Sequence, residues 1–464
     1  MADELHYLEL TELAALLKKR EISPVEVTRA QLDRIAALDQ ALHSYAHVMA
    51  ESALTQAQTA EKQIGAGDYK GVLHGVPLAV KDLCWTQGVP TAGGMAMYKE
   101  FRPTEDSTVV ARMNAAGAVM LGKLQLTESA YADHHPSIVP PKNPWNAAHW
   151  PGASSSGSGA ATAAGLCYGS LGSDTGGSIR FPSAANGLTG LKPTWGRVSR
   201  HGVWELAATL DHVGPMTRSA ADAGAILGAI AGADPKDPTA LQAPVPDYLA
   251  ALGQDLAGLR VGIDRAWNAD VEPEIATMMQ EAEAVLTAAG AQMVEVSFPD
   301  TDQVIADWFP NCFVETAAAH AATYPSRKAE YGPALSAVIE SGRAVSGMAY
   351  QDIIKRRLDF CGRVAALFGG IDMLLAPVQP FASPSLAFMG KLGENPELMT
   401  ALLRYTCPID SAGVPSLTLP GGFTQAGMPI AFQLIGDKLS EATLLQAGAA
   451  YQAATAWHRR HPAL

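Results

Sequence analysis

The chain has 464 residues, of which 48% are hydrophobic and 17% are charged. This composition excludes an intrinsically disordered protein and is typical of a globular protein with a sizeable core. The formal net charge of −13 argues against a nucleic-acid-binding protein, which needs a basic face to displace counterions. We therefore predict no nucleic-acid partner.

Cysteine usage and the first residues indicate a cytoplasmic protein. Five cysteines are scattered along the chain without a Cys-x-x-Cys pair, which argues against a disulfide framework and a zinc knuckle and favours buried thiols. Residues 1–6 lack a basic region followed by an apolar stretch, so we expect no signal peptide. No window approaches 18 uninterrupted apolar residues, so we expect no membrane span.

The N-terminal part of the chain is predicted to be helical, up to about residue 65. Within it, Ser23 begins the sequence Ser-Pro-Val-Glu, a capping box with proline at the first helical position. Residues 76–80 predict a strand that runs into Lys81. Residues 106–116 predict a helix, and residues 118–121 predict a short buried strand that is closed by Gly122.

Strands and helices continue to alternate toward the C-terminus. Strands are predicted at residues 259–263, 293–296, 371–376, 417–419 and 430–435, and helices at residues 274–289 and 440–454. This alternation predicts an α/β fold with a central mixed β-sheet covered by helices on both faces. Because we find no internal repeat and no convincing linker, we predict one large domain over residues 1–464.

A first segment rich in serine and glycine occupies residues 151–161 and contains four serines. Its composition is also typical of a flexible linker. Its flanks favour a packed element, because Trp145 lies shortly before it and the apolar residues 160–166 follow it.

A second such segment, residues 172–183, reads Gly-Ser-Asp-Thr-Gly-Gly-Ser-Ile-Arg-Phe-Pro-Ser. A glycine-rich turn exposes backbone N–H groups, which can cradle a phosphate or hold an oxyanion. No Gly-Lys-Ser/Thr follows, so the segment is not a Walker loop. Ser178, directly after the glycines, suits a nucleophile beside its own oxyanion donors.

A nucleophilic serine needs a base. No serine lies in a Gly-x-Ser-x-Gly or Ser-x-x-Lys motif, and the tempting pair His134-His135 has the context of a polar loop or pocket wall. Lys81 is the better candidate, because desolvation at the buried end of a strand favours the neutral amine. A structural lysine paired with Asp82 or with another carboxylate is an equally weighted alternative.

These segments resemble the amidase signature family. The resemblance rests on His-Gly-Val-Pro-Leu-Ala-Val-Lys-Asp at residues 74–82, on the Ser154–Ser155 segment and on Gly-Ser-Asp-Thr-Gly-Gly-Ser-Ile-Arg at residues 172–180. It extends over nearly the whole chain, with further similar stretches at residues 116–123, 190–197, 210–218 and 427–436. Agreement of this extent is far more specific than any single motif.

The resemblance implies the amidase signature fold and a serine-nucleophile amidase without metal or organic cofactor. It makes Ser178 the nucleophile, Ser154 the proton relay after a cis peptide bond, and Lys81 the general base, within a catalytic core at about residues 66–220. The separation 178 − 154 = 24 matches the family's spacing. The implied oxyanion donors are the N–H groups of Thr175, Gly176, Gly177 and Ser178, and the implied supporting residues are Ser155, Asp174 and Arg180.

The family's substrates are primary, aryl and fatty amides, carbamates and urea derivatives, all cleaved at an acyl–nitrogen bond. We predict pocket walls at residues 128–137, 308–313 and 348–353. Their large apolar side chains favour a small aryl- or alkyl-substituted substrate, although core packing explains them nearly as well. These side chains are Trp308, Phe309, Phe313 and Met348.

Two alternative functions remain open. One is the A subunit of a glutamine-dependent tRNA amidotransferase, although the segment at residues 403–405 lacks the acidic residue expected for glutamine. The other is a catalytically silent scaffold with the same fold. For the oligomeric state, a homodimer is the base-rate expectation.

Overall fold

The computed structural model describes residues 5–464. These residues contain a single mixed sheet of eleven strands. The predictions of no signal peptide at residues 1–6 and of a helical N-terminal part therefore lie partly outside the described residues, at positions 1–4. In chain order the strands are β1 (Tyr45–Val48), β2 (Pro77–Lys81), β3 (Val119–Leu124), β4 (Gly169–Asp174), β5 (Thr189–Lys192), β6 (His212–Thr217), β7 (Arg260–Ile263), β8 (Gln292–Glu295), β9 (Met373–Pro377), β10 (Ser416–Phe423) and β11 (Pro429–Gly436). Their order across the sheet is β1-β3-β2-β4-β6-β5-β10-β11-β9-β7-β8.

Helices connect the strands and pack against the sheet. They are α1 (Leu10–Lys19), α2 (Pro24–Leu42), α3 (Ala50–Gly65), α4 (Thr108–Ala115), α5 (Ser156–Ala163), α6 (Arg180–Asn186), α7 (Ala220–Ile230), α8 (Pro273–Ala288), α9 (Asp302–Ala319), α10 (Pro333–Ala344), α11 (Gly347–Leu367), α12 (Leu386–Met389), α13 (Pro396–Leu403), α14 (Cys407–Ala412) and α15 (Glu441–Ala454).

The middle strands of the sheet are buried along their whole length. Every residue of β2, β3, β4 and β6 is buried. Because successive side chains of a strand point to opposite faces, a strand of this kind must be covered on both. The prediction of one α/β domain with a mixed sheet covered on both faces is confirmed.

The predicted elements are present, with three corrections. The predicted N-cap at Ser23 with proline at the first helical position is confirmed, since Ser23 Oγ accepts hydrogen bonds from Val25 N at 3.0 Å and from Glu26 N at 3.4 Å. The reciprocal bond of a capping box, from the Glu26 side chain back to Ser23 N, does not form in the described structure. In addition, β1 interrupts the region predicted to be helical, and β3 runs through Gly122 instead of ending there. A Cβ at position 122 would lie 2.3 Å from the carbonyl oxygen of His47 in β1, so this glycine permits close strand pairing.

The sheet brings the candidate catalytic segments to one edge. β2 and β4 are parallel neighbours, paired at Ala79–Ser170 and Val80–Leu171. The carboxyl ends of parallel strands meet at the same edge, so Lys81 at the end of β2 lies beside the end of β4. The helices α5 and α6 begin within the two serine-containing segments, at Ser156 and Arg180.

The prediction of buried, unpaired thiols is largely confirmed. Four of the five cysteines are buried, Cys361 is half-buried, and all are free thiols. Within residues 5–464, none of the helices combines the length and the apolar character that a membrane span requires.

Arg180, the first residue of α6, is fully buried between two carboxylates. Its Nη2 donates to Asp174 Oδ1 at 2.9 Å and to Asp410 Oδ2 at 2.6 Å, and its Nε donates to Asp174 Oδ2 at 3.0 Å. Burial would raise the pKa of Asp174, but the charge and hydrogen bonds of Arg180 outweigh it and hold that pKa well below its usual range. The ion pair ties the end of β4 to the start of α6 and to α14.

Replacement of Asp174 by asparagine should destabilise the fold. Asp174→Asn removes the carboxylate that pairs with the buried guanidinium through both of its oxygens, and we expect it to lower the free energy of unfolding by about 3 kcal/mol. Asp372→Asn is the matched control, because Asp372 pairs with Arg260 through two oxygens at the surface and should lose less than about 1 kcal/mol. Urea unfolding followed by circular dichroism measures both, and equal losses would contradict this account.

Candidate active site

Lys81 lies at the centre of a cluster of serine hydroxyls. Its Nζ is 2.6 Å from Ser154 Oγ, 2.8 Å from Ser155 Oγ and 2.8 Å from Ser173 Oγ. Lys81, Ser154 and Ser155 are fully buried, and Ser173 is nearly so. The structure thus brings together three of the residues predicted from the sequence and adds Ser173, which the sequence patterns did not indicate.

The alternative pairing of Lys81 with Asp82 is wrong. Asp82 lies in the turn that directly follows β2 and directs its carboxylate to Lys123, whose Nζ is 3.6 Å from Asp82 Oδ1. Among the described residues, no carboxylate forms an ion pair with Lys81. Burial therefore dominates and lowers the pKa of Lys81 to about 7, although the more distant charges of Asp174 and Asp211 oppose it.

The hydrogen bonds of neutral Lys81 can be assigned. A neutral amine has two N–H donors and one lone pair. Ser155 Oγ donates to the carbonyl oxygen of Ser173 at 3.2 Å, so it can only accept from Lys81. When the lone pair accepts the hydroxyl proton of Ser154, Ser173 Oγ accepts the second N–H.

The segment that contains Ser154 is an ordered part of the core. The Ala153–Ser154 peptide bond is cis. All residues from 154 to 166 are buried, and Ser158 Oγ donates to the carbonyl oxygen of Leu171 in β4 at 2.9 Å. The linker alternative for residues 151–161 is therefore wrong.

Ser178 differs from its neighbours in exposure. It is the one residue between Gly172 and Ser183 that is not buried. Its hydroxyl makes no hydrogen bond to another residue in the described range, so the structure does not join Ser154 to Ser178 directly. A hydroxyl that is neither buried nor hydrogen-bonded is free to meet a substrate. Catalytic hydrogen bonds are often longer before substrate binds.

Asp174 organises the turn that carries the predicted oxyanion donors. Its carboxylate accepts the N–H of Gly177 at 2.6 Å and that of Ile179 at 3.0 Å. The prediction of four oxyanion donors needs correction at Gly177, because its N–H is already bound to Asp174. Within the described chain, the backbone N–H groups of Thr175, Gly176 and Ser178 form no such bond.

Trp308 and Cys407 support the same turn from behind. Trp308 Nε1 donates to the carbonyl oxygen of Thr175 at 2.9 Å, and Cys407 Sγ lies 3.7 Å from the carbonyl oxygen of Gly176. A Cβ at position 176 would lie 2.5 Å from the Trp308 ring, so only glycine fits there. Trp308 thus braces the turn, a role that its sequence context did not reveal.

The other predicted wall residues fall into two groups. Rings of Trp308, Phe309, Phe313 and Tyr131 form a continuous series, with centroid distances of 5.3, 6.0 and 6.1 Å between successive members. Met348, in contrast, is 72% exposed and does not belong to an enclosed wall. The helix α11 presents it to solvent, because the buried stripe of α11 begins at Ile353.

The histidine pair offers no base for Ser178. His134 is half-buried, its Nε2 lies 3.4 Å from Ser156 Oγ, and burial lowers its pKa to about 4. His135 Nδ1 lies 2.7 Å from Ser137 Oγ within its own loop. Within residues 5–464, no cluster of three or more His, Cys, Asp or Glu side chains could hold a metal ion.

Comparisons with known proteins give the family. A family model described as Amidase matches residues 26–445. AmiD of Mycobacterium tuberculosis, which is named as an amidase, is 48% identical over 460 residues, covering 99% of this chain and 97% of that protein. The glutamyl-tRNA(Gln) amidotransferase of Moorella thermoacetica has an A-type subunit that is 39% identical over 489 residues, covering 99% of both chains.

A solved structure supports the same assignment. The peptide amidase of Stenotrophomonas maltophilia superposes with a TM-score of 0.82 and 29% sequence identity, covering 96% of each chain. The family model matches most of the chain, and the similarity to AmiD extends over nearly all of it. The chain therefore belongs to the amidase family, whose enzymes hydrolyse carbon–nitrogen bonds.

Proposed function

We propose that this protein is an amidase in which Ser178 is the nucleophile, Ser154 the proton relay and Lys81 the general base. The observation that carries the proposal is the 2.6 Å contact between Lys81 Nζ and Ser154 Oγ in a fully buried site. No carboxylate of the described residues competes for Lys81, so its amine is available as a proton acceptor near pH 7.

The proposed reaction has two halves. Lys81 takes a proton from Ser154, Ser154 takes one from Ser178, and Ser178 Oγ attacks the amide carbonyl carbon. The N–H groups of the glycine turn stabilise the oxyanion, and the relay returns a proton to the departing nitrogen. Water then hydrolyses the acyl-enzyme by the same relay in reverse.

We further propose that the substrate is a small amide with an aryl or alkyl substituent, with carbamates and urea-type compounds as further candidates. The support is the ring series from Trp308 to Tyr131, which begins against the oxyanion turn. An apolar wall of this kind binds apolar substituents by removing them from water. The names of AmiD and of the peptide amidase agree with an amide substrate.

A second candidate function is that of the A-type subunit in a tRNA amidotransferase. The 39% identity with the Moorella protein over its whole length favours it. The higher identity with AmiD opposes it, as does the absence of an acidic residue at positions 403–405. Amide hydrolysis by the purified chain alone, without release of ammonia from glutamine, would favour the amidase. The silent-scaffold alternative is weakened because Lys81, Ser154 and Ser178 are all present.

A fluorophosphonate probe should label Ser178 in the purified protein. Because the proposed activation runs through the buried amine, Lys81→Met should slow labelling by at least about a hundredfold. Peptide mass spectrometry identifies the modified residue, and the time course gives the rate.

Two serine variants control this experiment. Ser154→Ala should abolish labelling, whereas Ser158→Ala should leave it unchanged, because Ser158 is buried in the same segment but bonds only to β4. Labelling at another residue, or labelling that is indifferent to Lys81, would overturn the assignment of nucleophile and base.

The labelling rate should depend on pH through Lys81. Its ammonium form cannot accept a proton, and its pKa is lowered to about 7. The rate should therefore fall about tenfold for each pH unit below that value and level off above it. A series of buffers between about pH 5 and pH 9 measures the profile. A rate that rises only near the pKa of an ordinary lysine would contradict a neutral Lys81.

The ring series predicts one determinant of substrate preference. Phe313→Ala should raise KM for an aryl amide about tenfold, with kcat changed less than about threefold, because a buried apolar contact is lost in ground state and transition state alike. Met348→Ala is the control, since this side chain is 72% exposed. Steady-state kinetics with matched aryl and methyl amides measures both variants. An unchanged KM in Phe313→Ala would remove Phe313 from the proposed pocket.

A further inference from the structure

A cavity of about 190 Å³ reaches Ser173 from the protein surface. Exposed residues at its outer end include Glu205 and Lys236, and its inner end is lined by Ser173, Asp211 and His212. Neither Ser154 nor Ser178 lines it. The cavity therefore approaches the Lys81 cluster by a route separate from the nucleophile.

The inner end of the cavity carries one buried polar atom that has no hydrogen-bond partner among the described residues. His212 is buried, and its Nδ1 lies 3.2 Å from the carbonyl oxygen of Asp174, an acceptor that requires the proton to be on Nδ1. His212 Nε2 is then a buried acceptor with no hydrogen bond in the described part of the chain. A buried acceptor that lacks a protein partner usually bonds to an ordered water, and a cavity of this volume has room for one.

Ser173 connects the cavity to Lys81. Its Oγ is 2.8 Å from Lys81 Nζ and accepts an N–H of the neutral amine. The hydroxyl proton of Ser173 finds no acceptor among residues 5–464, which leaves it free to bond to water in the cavity. Lys81, Ser173 and the cavity thus form one potential path for a proton.

We propose that the cavity is a water-filled proton outlet for Lys81 and that Ser173 is the positioning residue that connects the two. This rests on the proposed function of Lys81 as general base. The Lys81 ammonium gives a proton to Ser173 Oγ while the hydroxyl proton of Ser173 passes to a cavity water. That water passes a proton to bulk solvent, and Lys81 is left neutral.

The outlet matters for substrates whose leaving group departs as an anion. An amine leaving group takes back the proton that Lys81 accepted from Ser178, so Lys81 becomes neutral during acylation. A nitrophenolate departs without that proton, and Lys81 stays protonated while the acyl group occupies Ser178. Deacylation then waits until Lys81 loses its proton, and the cavity supplies the route.

The test compares a nitrophenyl ester and a primary amide that share one acyl group. In stopped-flow experiments, Ser173→Ala should keep the burst of nitrophenolate but slow the following steady state at least about tenfold. Amide turnover should fall less than about threefold. Ser173→Thr keeps the hydroxyl and should restore ester turnover.

Two further variants separate the cavity from a general effect on Lys81. Val213→Phe places a larger side chain in the cavity opposite Ser173, its partner across β4 and β6, and should slow ester deacylation selectively. Lys236, at the outer end, forms a surface ion pair with Glu105, and Lys236→Met should change the turnover of neither substrate. Parallel loss for ester and amide in Ser173→Ala, or no loss in either, would overturn the proposal.

Two results distinguish failure of this inference from failure of the proposed function. If the wild type turned over neither substrate, the amidase proposal itself would fail. A high-resolution crystal structure tests the cavity without activity, and we expect ordered waters on Ser173 Oγ and His212 Nε2. A dry cavity would overturn the outlet while leaving the amidase proposal intact.

Discussion

The burial of Lys81 among hydroxyl groups, without a carboxylate, is the constraint on which the candidate site depends. A buried ammonium is costly in free energy unless an opposite charge compensates it. Ser154, Ser155 and Ser173 offer hydrogen bonds to Lys81 but no charge. The surroundings therefore favour the neutral amine, which is the form that the proposed base requires, whereas a simple ion pair would have favoured a structural cation.

Two buried lysines of this protein show the difference. Lys123 also lies in the core, but its Nζ is 3.6 Å from the carboxylate of Asp82 and bonds to Thr91 Oγ1 at 2.9 Å. Lys81 is the neighbour of Asp82 in sequence, yet the carboxylate of Asp82, in the turn after β2, pairs with Lys123 instead. Because Asp82 pairs with Lys123, it does not serve as a carboxylate partner for Lys81.

Arg180, unlike Lys81, is a buried cation with a carboxylate partner, Asp174. Arg180 holds Asp174 in its ionised form, and Asp174 in turn accepts N–H groups of the glycine turn. The turn is fixed from behind by Trp308, against which Gly176 packs. The remaining N–H groups are therefore oriented before substrate arrives, which is the condition for stabilising an oxyanion without reorganisation.

The sequence predicted the α/β architecture and the buried surroundings of Lys81 because both follow from local patterns. Strand alternation and helix caps depend on residues that are close together in the sequence, as at Ser23. The edge strand β1 was missed because its four residues carry no strong signal and its pairing partner lies in β3.

Contacts between distant segments were beyond the sequence patterns. Whether Asp82 would pair with Lys81 or with Lys123 depends on the register between β2 and β3. The contact of Ser173 with Lys81 depends in the same way on the pairing of β2 with β4. One signal was available for Ser173, since it lies in the same serine- and glycine-rich segment as Ser178 and directly precedes Asp174.

A direct titration of the Lys81 side chain tests the central claim most sharply. Protein with isotope-labelled lysine gives one side-chain NMR signal for each residue, and Lys81→Arg identifies the signal of interest by its loss. We predict that this signal titrates with a pKa of about 7. A midpoint near 10.4, the value of an ordinary lysine, would show that Lys81 is a cation at neutral pH and would contradict its role as the base.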